Sequence, residues 1–62
     1  MDDPYIVTWI NIDSTMKNKI EFDNLTQAIK FYNFLLLEFE TIRSLFLTWG
    51  DSHLLEYHKE VK

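Results

Sequence analysis

An α+β fold of order β-β-α-β-β, with one helix packed on a small, mostly antiparallel sheet, is predicted by three features of this sequence. A stretch of helical apolar periodicity stands mid-chain, β-rich stretches lie on either side, and Gly50-Asp51 splits the second of these into a hairpin. One Gly and one Pro in 62 residues leave no flexible linker. No repeat divides the chain, so residues 1–62 are read as a single domain.

The elements follow in order. Pro4 disfavours helix at the residue before it. Tyr5-Ile6-Val7-Thr8-Trp9-Ile10-Asn11-Ile12 is dense in β-branched and aromatic residues and reads as a strand. One face carries Tyr5, Val7, Trp9 and Asn11, the other Ile6, Thr8, Ile10 and Ile12. Both are mostly apolar, which suits a central strand covered on two sides. Asp13 to Asn18 is polar and reads as a loop. Lys19-Ile20-Glu21-Phe22 alternates as a short second strand.

A helix follows, capped by Asp23 or Asn24, whose short side-chain oxygen satisfies a free amide of the first turn. Gln27 stands in the capping-box position relative to Asn24. Leu25, Ala28, Ile29, Tyr32, Leu35, Leu36 and Phe39, joined by Phe31, fall in one arc of the helix. Glu38 and Glu40 oppose the helix dipole, and the helix is expected to end there.

Thr41 to Trp49 and Ser52 to His58 then form the closing hairpin. Gly at the first central turn position favours type II′. A regular two-residue loop pairs Trp49 with Ser52, Leu47 with Leu54 and Phe46 with Leu55. One face then holds Ile42, Ser44, Phe46, Thr48, His53, Leu55, Tyr57 and Lys59, the other Arg43, Leu45, Leu47, Trp49, Ser52, Leu54, Glu56 and His58. Neither is cleanly polar, and one helix covers only one face.

Composition narrows the function. Leu, Ile, Val and Phe make up about a third of the chain, above the roughly 20% floor for globular behaviour. A chain this short buries only about 60% of its unfolded surface. Small domains usually need disulfides, a metal or a second subunit. There is no cysteine, so self-association is favoured. Ten acidic against six scattered basic residues give a net charge of −4 and a pI near 4.9, which argues against direct nucleic-acid binding. The acidic start, Met1-Asp2-Asp3-Pro4, is unlike a signal peptide. The run Phe34-Leu35-Leu36-Leu37 is far short of a membrane span. A cytoplasmic protein without membrane contact is expected.

Chemistry finds few candidates. A single glycine cannot build a phosphate loop, and Ser14, Ser44 and Ser52 lack the glycines of a nucleophile elbow. His53 and His58, five apart, fall on opposite faces of a regular strand, and no zinc-ligand spacing exists. No catalytic residue, metal or cofactor is expected.

The functional signal is apolar. Phe34 and Leu37 fall outside the main arc of the helix, among Thr26, Gln27, Lys30 and Asn33. Clustered exposed apolar groups mark interaction surfaces. Phe34, Leu37, Phe31, Trp9, Trp49, Leu45 and Leu47 are the candidate residues of a homodimer seam or a surface for another protein. The dispersed acids Asp13, Glu21, Asp23, Glu38 and Glu40 form a second candidate, an acidic contact surface suited to a basic cleft.

A strand, an acidic turn, a Phe/Tyr/Leu-rich helix and a closing hairpin, with Glu56-Tyr57-His58-Lys59 as a local echo, resemble the small acidic inhibitors that phages direct against host enzymes. The uracil-DNA glycosylase inhibitors of Bacillus phages are similar in size, charge and element order. The resemblance transfers no residue's role. It implies a homodimer that binds and inhibits a host protein, such as a nucleic-acid-processing enzyme or defence nuclease, in the host cytoplasm. The alternative is a structural or assembly subunit permanently buried in a larger complex.

Overall fold

The computed structural model describes residues 3–13, 15–38 and 40–59. Phe39, placed above on the apolar arc, lies outside the described residues, as does the side chain of Glu38. The element order is β1 (Tyr5–Asn11), β2 (Lys17–Phe22), α1 (Leu25–Glu38), β3 (Ile42–Trp49) and β4 (Ser52–His58). The four strands form one sheet of order β2-β1-β3-β4, antiparallel at every pairing. One helix packs on one of its faces.

β1 is central, as its composition requires, but it is covered on one side only. β2 starts two residues earlier than its alternation indicates. Lys17 and Asn18 pair with Ile10 and Trp9, because a backbone ladder is available there and an edge strand tolerates polar side chains. Asn24 is the helix cap: its Oδ1 accepts from the Gln27 amide at 3.2 Å, and its carbonyl accepts from the Ala28 amide at 3.1 Å. Ile12 N–H donates to the Thr41 carbonyl at 2.7 Å and ties the end of β1 to the approach to β3.

The core consists of Val7 on β1, Ala28, Tyr32 and Leu35 on α1, and Ile42, Leu45 and Leu47 on β3. The helix buries positions 28, 32 and 35, an i, i+4, i+7 stripe narrower than the arc expected from the sequence. Leu25 and Leu36, assigned to that arc, are exposed.

Two irregularities reset the faces of the hairpin. On β3, Ser44 pairs with Ile10 and Ile42 with Asn11, so Arg43 is an extra residue. Ile42 thereby shares the helix-side face with Leu45 and Leu47 rather than the opposite face. On β4, Thr48 pairs with His53 but Leu47 pairs with Leu55, so Leu54 is extra. The regular register expected from the turn is therefore wrong beyond His53. Phe46 faces Glu56, Leu45 faces Tyr57 and Ser44 faces His58. A bulge puts two residues opposite one and inverts the alternation that follows.

Gly50 has φ +58° and is the only described residue with positive φ. Type I′ needs positive φ at both central residues, so the turn belongs to the type II′ side of that choice. A Cβ here would lie 2.7 Å from Asp3 Oδ2, the far end of a side chain that can move aside, so the backbone conformation carries most of the cost. Gly50→Ala is expected to lower stability by about 1 kcal/mol in urea titration, and Gly50→Asn by less. An unchanged midpoint for Gly50→Ala would refute this reading of the turn.

Burial raises the Tyr32 phenol above its ordinary value near 10, with the Glu56 carboxylate a lesser cause. The unfolded chain therefore loses this proton first as pH climbs past about 10. The stability involved is complete below that pH and is lost as pH rises through the higher folded value. Thermal melts from about pH 9 to 11.5 should show a shallower alkaline decline for Tyr32→Phe than for the parent. Parallel declines would assign the loss to other groups.

Candidate interaction surface

Three apolar regions flank or oppose the helix, and each arises from how far one helix reaches. The helix contacts β1, β2 and β3 but not β4.

The first region lies on the β1–β2 side. Phe31 sets its edge against Trp9, with centroids 5.7 Å apart. It also lies 5.5 Å from Phe22 and stacks with Phe34 at 6.3 Å. Residues three apart on a helix turn by about 60°, so Phe31, Phe34 and Leu37 rotate stepwise out of the core. Their exposure follows that rotation: Phe31 is half-buried, Phe34 is 48% exposed and Leu37 81% exposed. Beside them runs an open groove of about 400 Å³, lined by Trp9, Asn11, Ile20, Phe31, Phe34 and Leu35 among others. Ile20, which no pattern in the chain singles out, forms its β2 wall.

The second region is a smaller trough of about 120 Å³ between the helix and β4, lined by Leu35, Leu36, Ile42 and Tyr57. Lys59 Nζ donates to the Glu40 carbonyl at 2.7 Å across its end, a cation placed against a carbonyl just beyond the helix C-terminus.

The third is the sheet face away from the helix. Paired residues share a face, so this one carries Ile6, Thr8 and Ile10 of β1 and Ser44, Phe46 and Thr48 of β3. Lys17, Lys19 and Glu21 rim it on β2, and His53, Glu56 and His58 on β4. A hollow of about 220 Å³ lies over Thr8 and Thr48 beside Phe46.

The candidate residues thus separate. Phe34, Phe31 and Trp9 line the first groove, and Leu37 stands exposed three residues beyond Phe34 on the same helix, outside that lining. Leu45 and Leu47, expected at an interface, are instead fully buried in the chain's own core, because the helix covers their face. Trp49 stands apart from the groove. It stacks on Tyr5 at 5.8 Å and donates its indole N–H to the Asp3 carbonyl at 2.9 Å, leaving it 41% exposed. The acidic candidates divide between the two ends of the sheet. Asp13 and Glu40 follow the C-terminal ends of β1 and α1, whereas Glu21 and Asp23 lie towards the end where the helix begins. No single acidic face collects the four.

The histidines also depart from expectation. The Leu54 bulge brings His53 and His58 onto the same face, where their rings meet Phe46 edge-on at 6.3 and 5.3 Å. They bracket a phenyl ring rather than converge on a metal. Among the described residues no cluster of three or more His, Cys, Asp or Glu could hold one. His58 Nε2 meets Glu56 Oε1 at 2.6 Å, while its Nδ1 lies 3.3 Å from the Ser44 hydroxyl. This hydroxyl–imidazole–carboxylate sequence lies flat on the sheet, with the His58 and Glu56 side chains more than half exposed. Water competes for each contact; the Ser44–His58 contact bridges β3 and β4, and the Glu56–His58 contact runs along β4.

Among the described residues, no helix is long and apolar enough to cross a membrane. No protein family, curated protein or solved structure matches the chain. The likeness to phage inhibitors is therefore carried by pattern alone.

The division between core and surface leucines is directly measurable. Leu45→Ala is expected to cost about 3 kcal/mol, the scale for emptying a fully buried leucine site. Leu37→Ala is expected to stay within about 0.5 kcal/mol. Equal losses in chemical denaturation would contradict the placement of one of them.

Proposed function

We propose that this chain is a non-catalytic protein-binding module that acts as a homodimer and captures another protein through the Trp9–Phe31–Phe34 groove and Leu37. The supporting observation is the outward rotation of Phe31, Phe34 and Leu37 beside an open apolar groove. An aromatic wall with a protruding aliphatic side chain has the composition of an interface core. The net charge of −4 favours a partner with a basic surface, which long-range attraction brings in faster at low salt. Inhibition of a nucleic-acid-processing enzyme or defence nuclease is the specific form of this function that the acidic balance favours. Because the acids lie at both ends of the sheet, they serve approach, and the apolar groove supplies the contact.

The test compares the parent with a Phe34→Glu/Leu37→Glu double variant as immobilised bait in extract of cells that make the chain. Both changes fall at exposed positions, so circular dichroism and melting temperature should be retained. The expected result is a protein retained by the parent and lost by the variant, with retention by the parent weakening as salt rises. Identical retention by both would overturn the assignment of this surface.

A further inference from the structure

We infer that the sheet face away from the helix is the dimer surface, and that it binds a second copy of itself about a two-fold axis parallel to the strands. This deepens the dimeric reading above and rests on it, while leaving the helix-side groove free for the other protein.

The register supplies the argument. The open face consists of three cross-strand rows, each with one residue from every strand. They are Glu21, Ile6, Thr48 and His53; Lys19, Thr8, Phe46 and Glu56; and Lys17, Ile10, Ser44 and His58. An axis between two stacked sheets, parallel to the strands and over the β1–β3 seam, lays each row on its own copy in reverse order. β1 then faces β3 of the second copy, and β2 faces β4.

Size is complementary in every row. Ile6 lies over Thr48 of the second copy, Phe46 over Thr8 and Ile10 over Ser44. In each case a large side chain meets a small one. The hollow over Thr8 and Thr48 lies where the second copy delivers Phe46 and Ile6. Charge is complementary in the middle row, where Lys19 lies over Glu56. In the outer rows a charged side chain meets an imidazole, Glu21 over His53 and Lys17 over His58.

The other way to stack the sheets, about an axis perpendicular to the strands, fails in the middle row. It sets Lys19 on Lys19, Phe46 on Phe46 and Glu56 on Glu56. Like charges facing each other are unfavourable, and two facing phenyl rings hold the sheets apart. The parallel-axis dimer has four layers, helix, sheet, sheet and helix, with one helix-side groove on each outer surface. Four strands about 4.8 Å apart and three rows about 7 Å apart define a footprint of about 400 Å² per copy. That is about half of the roughly 800 Å² per partner of a standard interface, so a weak, concentration-dependent dimer is expected.

The experiment is sedimentation equilibrium of the full chain from about 1 to 300 µM, a range that brackets micromolar association. The parent should approach about twice the 7.5 kDa chain mass. Lys19→Glu and Glu56→Lys each place like charges in contact and should weaken association at least tenfold. Mixing the two variants sets opposite charges against each other again at both contacts between positions 19 and 56, and should restore association to near the parent value. Circular dichroism on each variant establishes that the fold persists. As a second measurement that leaves every charge in place, Thr8→Trp should block association by filling the hollow. A parent that stays monomeric at the highest concentration overturns both the dimer and this surface. A dimer indifferent to the charge changes and to Thr8→Trp overturns this surface alone, and the dimer then lies elsewhere.

Discussion

A helix about 10 Å wide cannot cover a sheet of four strands spaced about 4.8 Å apart. From that mismatch the rest of the structure follows. The 14-residue helix lies over β2, β1 and β3 and leaves β4 without a helical neighbour. It buries one face of the central strands and none of the other. Among the described residues the buried core is Val7, Ala28, Tyr32, Leu35, Ile42, Leu45 and Leu47, with Tyr5, Trp9, Phe22, Ile29 and Phe31 partly buried against it. Apolar surface remains because one helix has two flanks and a sheet has two faces.

The two flanks of the helix are not equivalent. On the β4 side the trough is small, and Lys59 spans its end by donating to the Glu40 carbonyl. On the β2 side the groove is more than three times larger, and its aromatic floor runs continuously from Trp9 through Phe31 to Phe34. Aromatic side chains bring large area with few rotatable bonds, so ordering them against a partner loses little entropy. This difference makes the β2-side groove the larger and more aromatic of the two flanks.

Much of the fold was legible in the sequence because it depends on local signals. Asn24 and Gln27 mark the helix start, Gly50-Asp51 marks the hairpin, and the β-branched run from Tyr5 marks a central strand. The helix periodicity also distinguished Phe34 and Leu37 from the buried stripe. What escaped was the orientation of the hairpin. Strict alternation put Ile42 with Phe46, and Leu45 and Leu47 on a candidate interface, when all three of Ile42, Leu45 and Leu47 belong to the core. The signal was present: Ile42 and Leu45 are apolar and three apart, out of phase with a period of two, and Leu54-Leu55 are two large apolar neighbours in one strand. Each marks an inserted residue. The separation of Trp49 from the groove had no such signal, since it depends on a backbone carbonyl at Asp3, 46 positions away.

Those two inserted residues decide the chemistry of the open face. Without Leu54 as an extra residue, alternation from His53 would turn Leu55 and Tyr57 onto that face and send Glu56 and His58 to the helix side. The carboxylate and imidazole would then approach Ile42 and Leu35 at the trough, where desolvation opposes charge, and the outer face would become a broad apolar sheet prone to indiscriminate pairing. With the bulge, the apolar side chains stay on the helix side and the polar ones form a rim opposite the lysines of β2. The Arg43 bulge acts on β3 in the complementary sense, retaining Ile42 in the core while Ser44 and Phe46 remain outside. The open face then carries Lys17, Lys19 and Glu21 along its β2 edge and His53, Glu56 and His58 along its β4 edge. That distribution comes from where the chain breaks its own alternation, since the residue counts alone give only a net negative charge.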